Sequence, residues 1–153
     1  VKLNMVVMKG INHHEIEDMI SFARATGTIL QLIEMEASRE RAREDFYRRY
    51  HYDLKAVEEG LKARSLKVVE RALQHRTKYF LPQEIEVVRP MHNTEFCSNC
   101  RRIRLTSDGR IKPCLLSSDG TVDVLTPLRE GASQEKVREL FLRAIESREP
   151  YWR

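Results

Sequence analysis

The sequence predicts a mixed α/β fold, and three features predict it. Residues 2–8 form an apolar, β-rich run closed by Lys9 and Gly10. Ile16, Met19, Ile20 and Ala23 then recur at helical spacing, and residues 28–35 form a second apolar run. Strand, amphipathic helix and strand with short joins make a βαβ unit, which implies parallel strands and a right-handed crossover. Two strands alone do not make a stable parallel sheet.

The elements follow in order. Asn12 with Glu15 reads as a capping box opening the first helix, and Gly27 supplies its stop. The chain starts on Val1, not Met, and runs straight into the first strand, which reads as entry midway through a fold. Residues 38–76 are rich in Arg, Glu, Lys and Leu without proline. Leu54, Val57 and Leu61, with Val68, Val69 and Leu73 farther on, predict two or three solvent-facing helices there. Within residues 39–49, Glu40, Glu44 and Asp45 interleave with the arginines at helix-pair spacing, the pattern of a solvated face. Residues 79–90 return to strand character through Ile85, Val87 and Val88, and Pro90 ends them. Gly131, Ala132, Ser133 and Gln134 lead into a last helix carrying Val137, Leu140, Phe141, Ala144 and Ile145, stopped by Pro150. His13 and His14 fall in a first helical turn facing solvent; His51 and His75 sit in charged stretches with no partner in view.

Bulk composition sets the class. The 153 residues are 41 % hydrophobic, enough for one core and too apolar for a disordered tail. Charged residues make up 33 % with a net charge of +4, a mild basic excess that suits an anionic ligand without demanding nucleic acid. No stretch approaches the roughly 18 apolar residues of a membrane span, and no leader pattern opens the chain, so a soluble, cytoplasmic protein with no membrane or nucleic-acid partner is expected.

The chemistry concentrates in residues 96–114. Cys97 and Cys100 form a Cys-x2-Cys turn, and Cys114 arrives from the far arm of a hairpin turning at Ser107, Asp108 and Gly109. Three clustered thiols in a reducing compartment point to metal rather than disulfides. A closed structural zinc site takes four protein ligands, whereas a cubane held by three leaves one iron open. The turn itself sets the register. A two-residue loop at Asp108 and Gly109 would send Cys114 to the opposite side from Cys100. A three-residue loop with Gly109 in the left-handed conformation instead pairs Thr106 with Arg110, and hence Arg102 with Cys114. That second register is the expectation: Cys100, Arg102, Arg104 and Cys114 then share one face, Ile103 and Leu105 face a core, and two guanidiniums lie about 7 Å apart along the strand. Guanidinium forks suit carboxylate, phosphate or a purine's acceptor edge. On spacing alone a zinc ribbon completed by His92, and arginines on a merely solvated face, stay open.

The string FCSNCRRIRLTSDGRIKPCL closely resembles the C-terminal cluster motif of the molybdenum-cofactor biosynthesis protein A (MoaA) family, the radical-SAM GTP 3',8-cyclases. The opening VKLNMVVMKGINHHEI and the tail DVLTPLREGASQEKVRELFLRAI also resemble that family, with residues 37–80 the least specific part. The resemblance implies an incomplete parallel (β/α) TIM-type barrel, of which this is the C-terminal part, plus a small hairpin and helix extension carrying a three-cysteine cluster site. Residues 1–78 would be the barrel part with an added helical region, and 79–153 the cluster-binding segment. It further implies a [4Fe-4S] cluster on Cys97, Cys100 and Cys114, with GTP contacts from Arg102, Ile103, Arg104 and Lys2, the last meeting the triphosphate. The complete enzyme would use S-adenosylmethionine and a second [4Fe-4S] cluster in the missing N-terminal half, form a homodimer, and feed the downstream cyclic pyranopterin monophosphate synthase. No catalytic residue is assigned here, because the N-terminal Cys-x3-Cys-x2-Cys motif is absent from the chain. Gln31 stands where many members carry arginine and Glu36 where many carry methionine, so neither role is transferred. A zinc-stapled binding module and another radical-SAM enzyme with an auxiliary cluster are the competing readings.

Overall fold

A computed structural model describes residues 1–152, and by contacts the chain divides into two units, Val1–Asn99 with Trp152, and Cys100–Tyr151.

The first unit is built on β1 (Lys2–Val7), α1 (Ile16–Thr26) and β2 (Ile29–Glu34), the expected βαβ unit. β1 and β2 pair in parallel from Lys2 opposite Ile29 to Val7 opposite Glu34. Gly27 closes α1 at φ 63°, its N–H reaching the carbonyls of Ala23 and Arg24, as a helix C-cap requires. The start differs from expectation, because no capping box forms. The Asn12 side chain instead accepts from the Met8 N–H at 2.7 Å and donates to the Val6 carbonyl at 2.9 Å, strapping the loop to the end of β1. Satisfying two backbone groups at a strand end outcompetes a cap on a single helical turn, residues His13–Glu15. Asn12→Ala is therefore expected to cost about 1–2 kcal/mol in chemical denaturation, while Glu15→Ala stays within about 0.5 kcal/mol.

Residues 38–76 fold differently in their second half. α2 (Asp45–Tyr50) and α3 (Lys55–Arg64) are helical, but Val68 and Val69 lie in β3 (Lys67–Glu70). These β-branched residues matched a helical period only over a short window; antiparallel pairing with β4 (Thr77–Phe80) decides their state. The expected strand over 79–90 is likewise split, into β4 and β5 (Glu84–Val88), by a turn holding the cis Leu81–Pro82 bond. The sheet order is β1-β2-β5-β4-β3, with β1, β2 and β5 parallel and β4 and β3 antiparallel.

Alternation sorts this sheet into two faces. Met5, Val7, Leu30, Leu32, Ile85, Val87 and Tyr79 join Ile16, Ile20 and Ala23 of α1 and Leu61 of α3 in the core. The opposite face carries Lys2 together with Asn4, Gln31 and Glu86, the last three in register across β1, β2 and β5.

The second unit holds β6 (Arg104–Leu105), β7 (Arg110–Lys112), β8 (Val122–Asp123), α5 (Leu125–Arg129) and α6 (Gln134–Glu146). The strands form one antiparallel sheet in the order β6-β7-β8. Ile111, Val122 and Val124 pack with Leu140, Ala144 and Val137 of α6. Ser133 caps α6 by accepting from the Lys136 N–H at 3.2 Å. The expected core contacts of Ile103 and Leu105 do not form: they are 36 % and 69 % exposed. Leu105 lies directly opposite buried Ile111, yet β6 is the edge strand, and α6 covers β7 and β8.

Candidate functional site

The hairpin carries the expected register. The Thr106 N–H donates to the Arg110 carbonyl at 2.9 Å, Gly109 stands at φ 75°, and Arg104 lies opposite Lys112. Two further bonds lock the turn: the Arg110 N–H donates to the Thr106 hydroxyl at 3.0 Å, and that hydroxyl donates to Asp108. The Thr106 hydrogen bond, aided by the Arg110 charge, holds the Asp108 carboxyl below its ordinary range. The ladder stops at Arg104 and Lys112, so Arg102 and Cys114 lie beyond its paired part. There Arg148 takes over, donating from its two terminal nitrogens to the carbonyls of Cys100 and Arg102. A fork anchoring two carbonyls fixes the path of the Cys100–Arg102 backbone. Nothing in the sequence marks Arg148, an arginine in the tail beyond the last helix.

Cys97, Cys100 and Cys114 form no disulfide and are of intermediate burial. Cys97 sits in α4 (Thr94–Ser98), which Asn93 caps by accepting from the Phe96 N–H at 3.0 Å, and the Trp152 N–H donates to its sulfur at 3.5 Å. Cys97 belongs to the first unit, Cys100 and Cys114 to the second. Among the described residues, no three His, Cys, Asp or Glu side chains are gathered as a metal-binding group. His92 is engaged elsewhere, its ring centroid 4.3 Å from that of Trp152.

Lys2, Glu86 and two arginines form a charged cluster in the first unit. Glu86, fully buried at the centre of the polar sheet face, is 2.5 Å from Lys2 Nζ, 3.3 Å from Arg76 Nε and 3.5 Å from Arg71 Nη1. Burial by itself would raise its pKa; the Lys2 hydrogen bond and the charges of Arg76, Lys2 and Arg71 outweigh that and hold it below the ordinary 4.5. One signal for Glu86 was legible, a carboxylate set between the apolar residues of the strand EIEVV. Arg71 and Arg76 left none, since they arrive from the β3–β4 connection.

At the C-terminal end of β2, Glu34 is 2.9 Å from His51 Nε2 and accepts from the Met91 N–H at 3.1 Å. Burial raises its pKa more than these partners lower it. His75 likewise has a partner, Glu70, at 2.7 Å. No helix among the described residues is long and apolar enough to cross a membrane.

A protein of Thermococcus kodakarensis named Probable GTP 3',8-cyclase is 54 % identical over 158 residues, covering 100 % of this chain and 52 % of its own length. Proteins of the same name from Pyrococcus horikoshii and Methanothermobacter thermautotrophicus are 52 % and 46 % identical, covering 99 % of this chain and 51 % and 50 % of theirs. The chain thus spans about half the length of the relatives it matches. Residues 28–153, from the start of the second strand through the hairpin and last helix, match the family described as Molybdenum Cofactor Synthesis C, and to that family the chain belongs.

Proposed function

We propose that this chain supplies the substrate-side half of a GTP 3',8-cyclase of molybdenum cofactor biosynthesis, which converts GTP to (8S)-3',8-cyclo-7,8-dihydroguanosine 5'-triphosphate. One observation carries the reading: identities of 46–54 % run along essentially the whole chain against proteins bearing that name. The full activity then requires an N-terminal half with S-adenosylmethionine and its own [4Fe-4S] cluster. A homodimeric enzyme that feeds a downstream cyclic pyranopterin monophosphate synthase completes the reading.

Within this half, Cys97, Cys100 and Cys114 would hold a second [4Fe-4S] cluster. The donor set fits in its chemistry: three thiols, none in a disulfide, with a backbone N–H donated to the sulfur of Cys97. Such a cluster, when bound through three thiolates, supplies one iron free for a further ligand. The chain's own residues bind and orient GTP. Arg102, Ile103 and Arg104 contact GTP, with Arg148 holding the carbonyls on either side of Arg101, and Lys2 meets the triphosphate. The barrel reading draws support from the first sheet, whose core residues face α1 and α3 while Lys2, Asn4, Gln31 and Glu86 occupy the other face. In a (β/α) barrel that second face looks inward. Residues 1–78 would continue the barrel, and 79–153 would form the cluster-binding segment.

Anaerobic reconstitution with iron and sulfide tests the reading. The expected result is cubane charge-transfer absorbance that disappears in Cys97→Ser, Cys100→Ser and Cys114→Ser. GTP binding measured by calorimetry should weaken about tenfold or more in Arg102→Ala and Arg104→Ala, as loss of a charge-assisted hydrogen bond implies. Stoichiometric zinc that survives reconstitution, with no cluster absorbance, would overturn it in favour of a zinc-stapled module.

A further inference from the structure

We propose that Gln74, His75 and His92 are positioning residues that hold α4 and Asn99 in place and so preset the Cys97 thiol for a cluster. The cluster itself rests on the reading above.

Backbone strain is the first argument. Among the described residues, three non-glycine residues have positive φ: Gln74 at 60°, His75 at 45° and His92 at 49°. That region favours glycine, and a larger side chain there costs stability. Gln74 and His75 are the central pair of a turn closed by the Arg76 N–H on the Leu73 carbonyl at 3.5 Å. Asn-Gly suits such a pair far better than Gln-His. A turn that merely reversed the chain between β3 and β4 would be more stable with glycine.

The contacts are the second argument, because all three residues bear on one short segment. The Gln74 N–H donates to the Asn99 carbonyl at 3.0 Å, and Gln74 itself is buried. His75 Nδ1 lies 2.7 Å from Glu70 and 3.9 Å from Glu95 of α4. The His92 ring packs on that of buried Trp152, whose backbone N–H donates to the Cys97 sulfur. With five residues, α4 is too short to persist by itself. Asn93 caps its start, and the β3–β4 turn holds the Asn99 carbonyl just past its end. An N–H donated to a ligating sulfur also tunes a cluster's potential.

Amide exchange on the metal-free chain and chelator-driven iron release from the anaerobically reconstituted chain test the proposal. In Gln74→Gly, His75→Gly and His92→Gly the thermal midpoint is expected to hold or rise, since glycine relieves the strain. The Cys97 and Asn99 amides should nonetheless exchange about tenfold faster while β1, β2 and β5 stay protected. Iron release should quicken about tenfold or more. The His92→Gly cluster should also reduce at a more negative potential, as Trp152 loses its support and Cys97 its N–H. Gln74→Asn and His75→Asn, which tolerate positive φ and keep a polar side chain, should fall between wild type and glycine. They decide the matter if a glycine variant unfolds the sheet. Wild-type exchange and wild-type iron release in all three glycine variants overturn the inference and leave the functional reading standing. Faster exchange with unchanged iron release and potential makes the three residues merely structural and overturns it too. If the wild type takes up zinc and no cluster, the functional reading falls and takes the cluster assignment with it.

Discussion

Glu86→Ala is expected to destabilise the first unit by about 3–5 kcal/mol, because it leaves three cations facing one another around a buried space that no longer holds a carboxylate. For a unit of this size that corresponds to a fall in thermal midpoint of roughly 10 °C or more. Glu86→Gln keeps the shape and one acceptor oxygen and should cost less, yet it removes the charge that offsets the cluster. Its effect carries a pH signature. The folded carboxyl titrates below its ordinary 4.5, so the ionised group contributes stability that is fully present above about pH 4.5 and is lost as pH falls through the folded value. The stability gap between wild type and Glu86→Gln should therefore be constant near neutrality and narrow below about pH 4.5. A gap that stays flat into acid would mean that the charge contributes nothing.

Gly109→Ala is the second large effect, and it is confined to the other unit. Gly109 has φ 75°, where a side chain costs about 1–2 kcal/mol, and an added Cβ would lie 2.3 Å from Leu125 Cβ. That atom is bonded to the backbone, so it yields only if the start of α5 shifts, which adds about 1–3 kcal/mol of overpacking strain. The total, about 2–5 kcal/mol, falls on the turn that sets the register of Arg104 and the approach to Cys114. Gly120 is a useful contrast. It has φ 68°, but its added Cβ would meet the Ser147 hydroxyl at 2.2 Å, the far end of a side chain that rotates away. Gly120→Ala should cost little beyond the backbone term of about 1–2 kcal/mol. Amide exchange measures both: Gly109→Ala should strip protection from β6, β7 and β8 while β1, β2 and β5 keep theirs.

Much of this molecule was legible in its residues because the signals were local. The βαβ opening, the glycine stop at Gly27, the serine cap at Ser133 and the three-residue loop at Gly109 each depend on backbone preferences within a few positions. The hairpin register followed from the single fact that Gly109 takes the left-handed conformation. Where partners lay far along the chain, local reading failed. Val68 and Val69 became a strand because β4 offered them an edge, and Asn12 left its cap to bind groups on β1. Leu105 stayed exposed because it falls on a sheet edge that α6 does not cover.

The same division holds for the charged groups. The sequence alone determined the family motif, the three thiols and the arginines beside them, all within twenty or so residues of one another. Only tertiary structure decided that Lys2, Arg71 and Arg76 meet at Glu86, and that Arg148 returns to hold the Cys100 and Arg102 carbonyls. The reason is physical: charges interact by distance in space, and a sheet brings Lys2 and Glu86 together across 84 positions of chain that no local preference links.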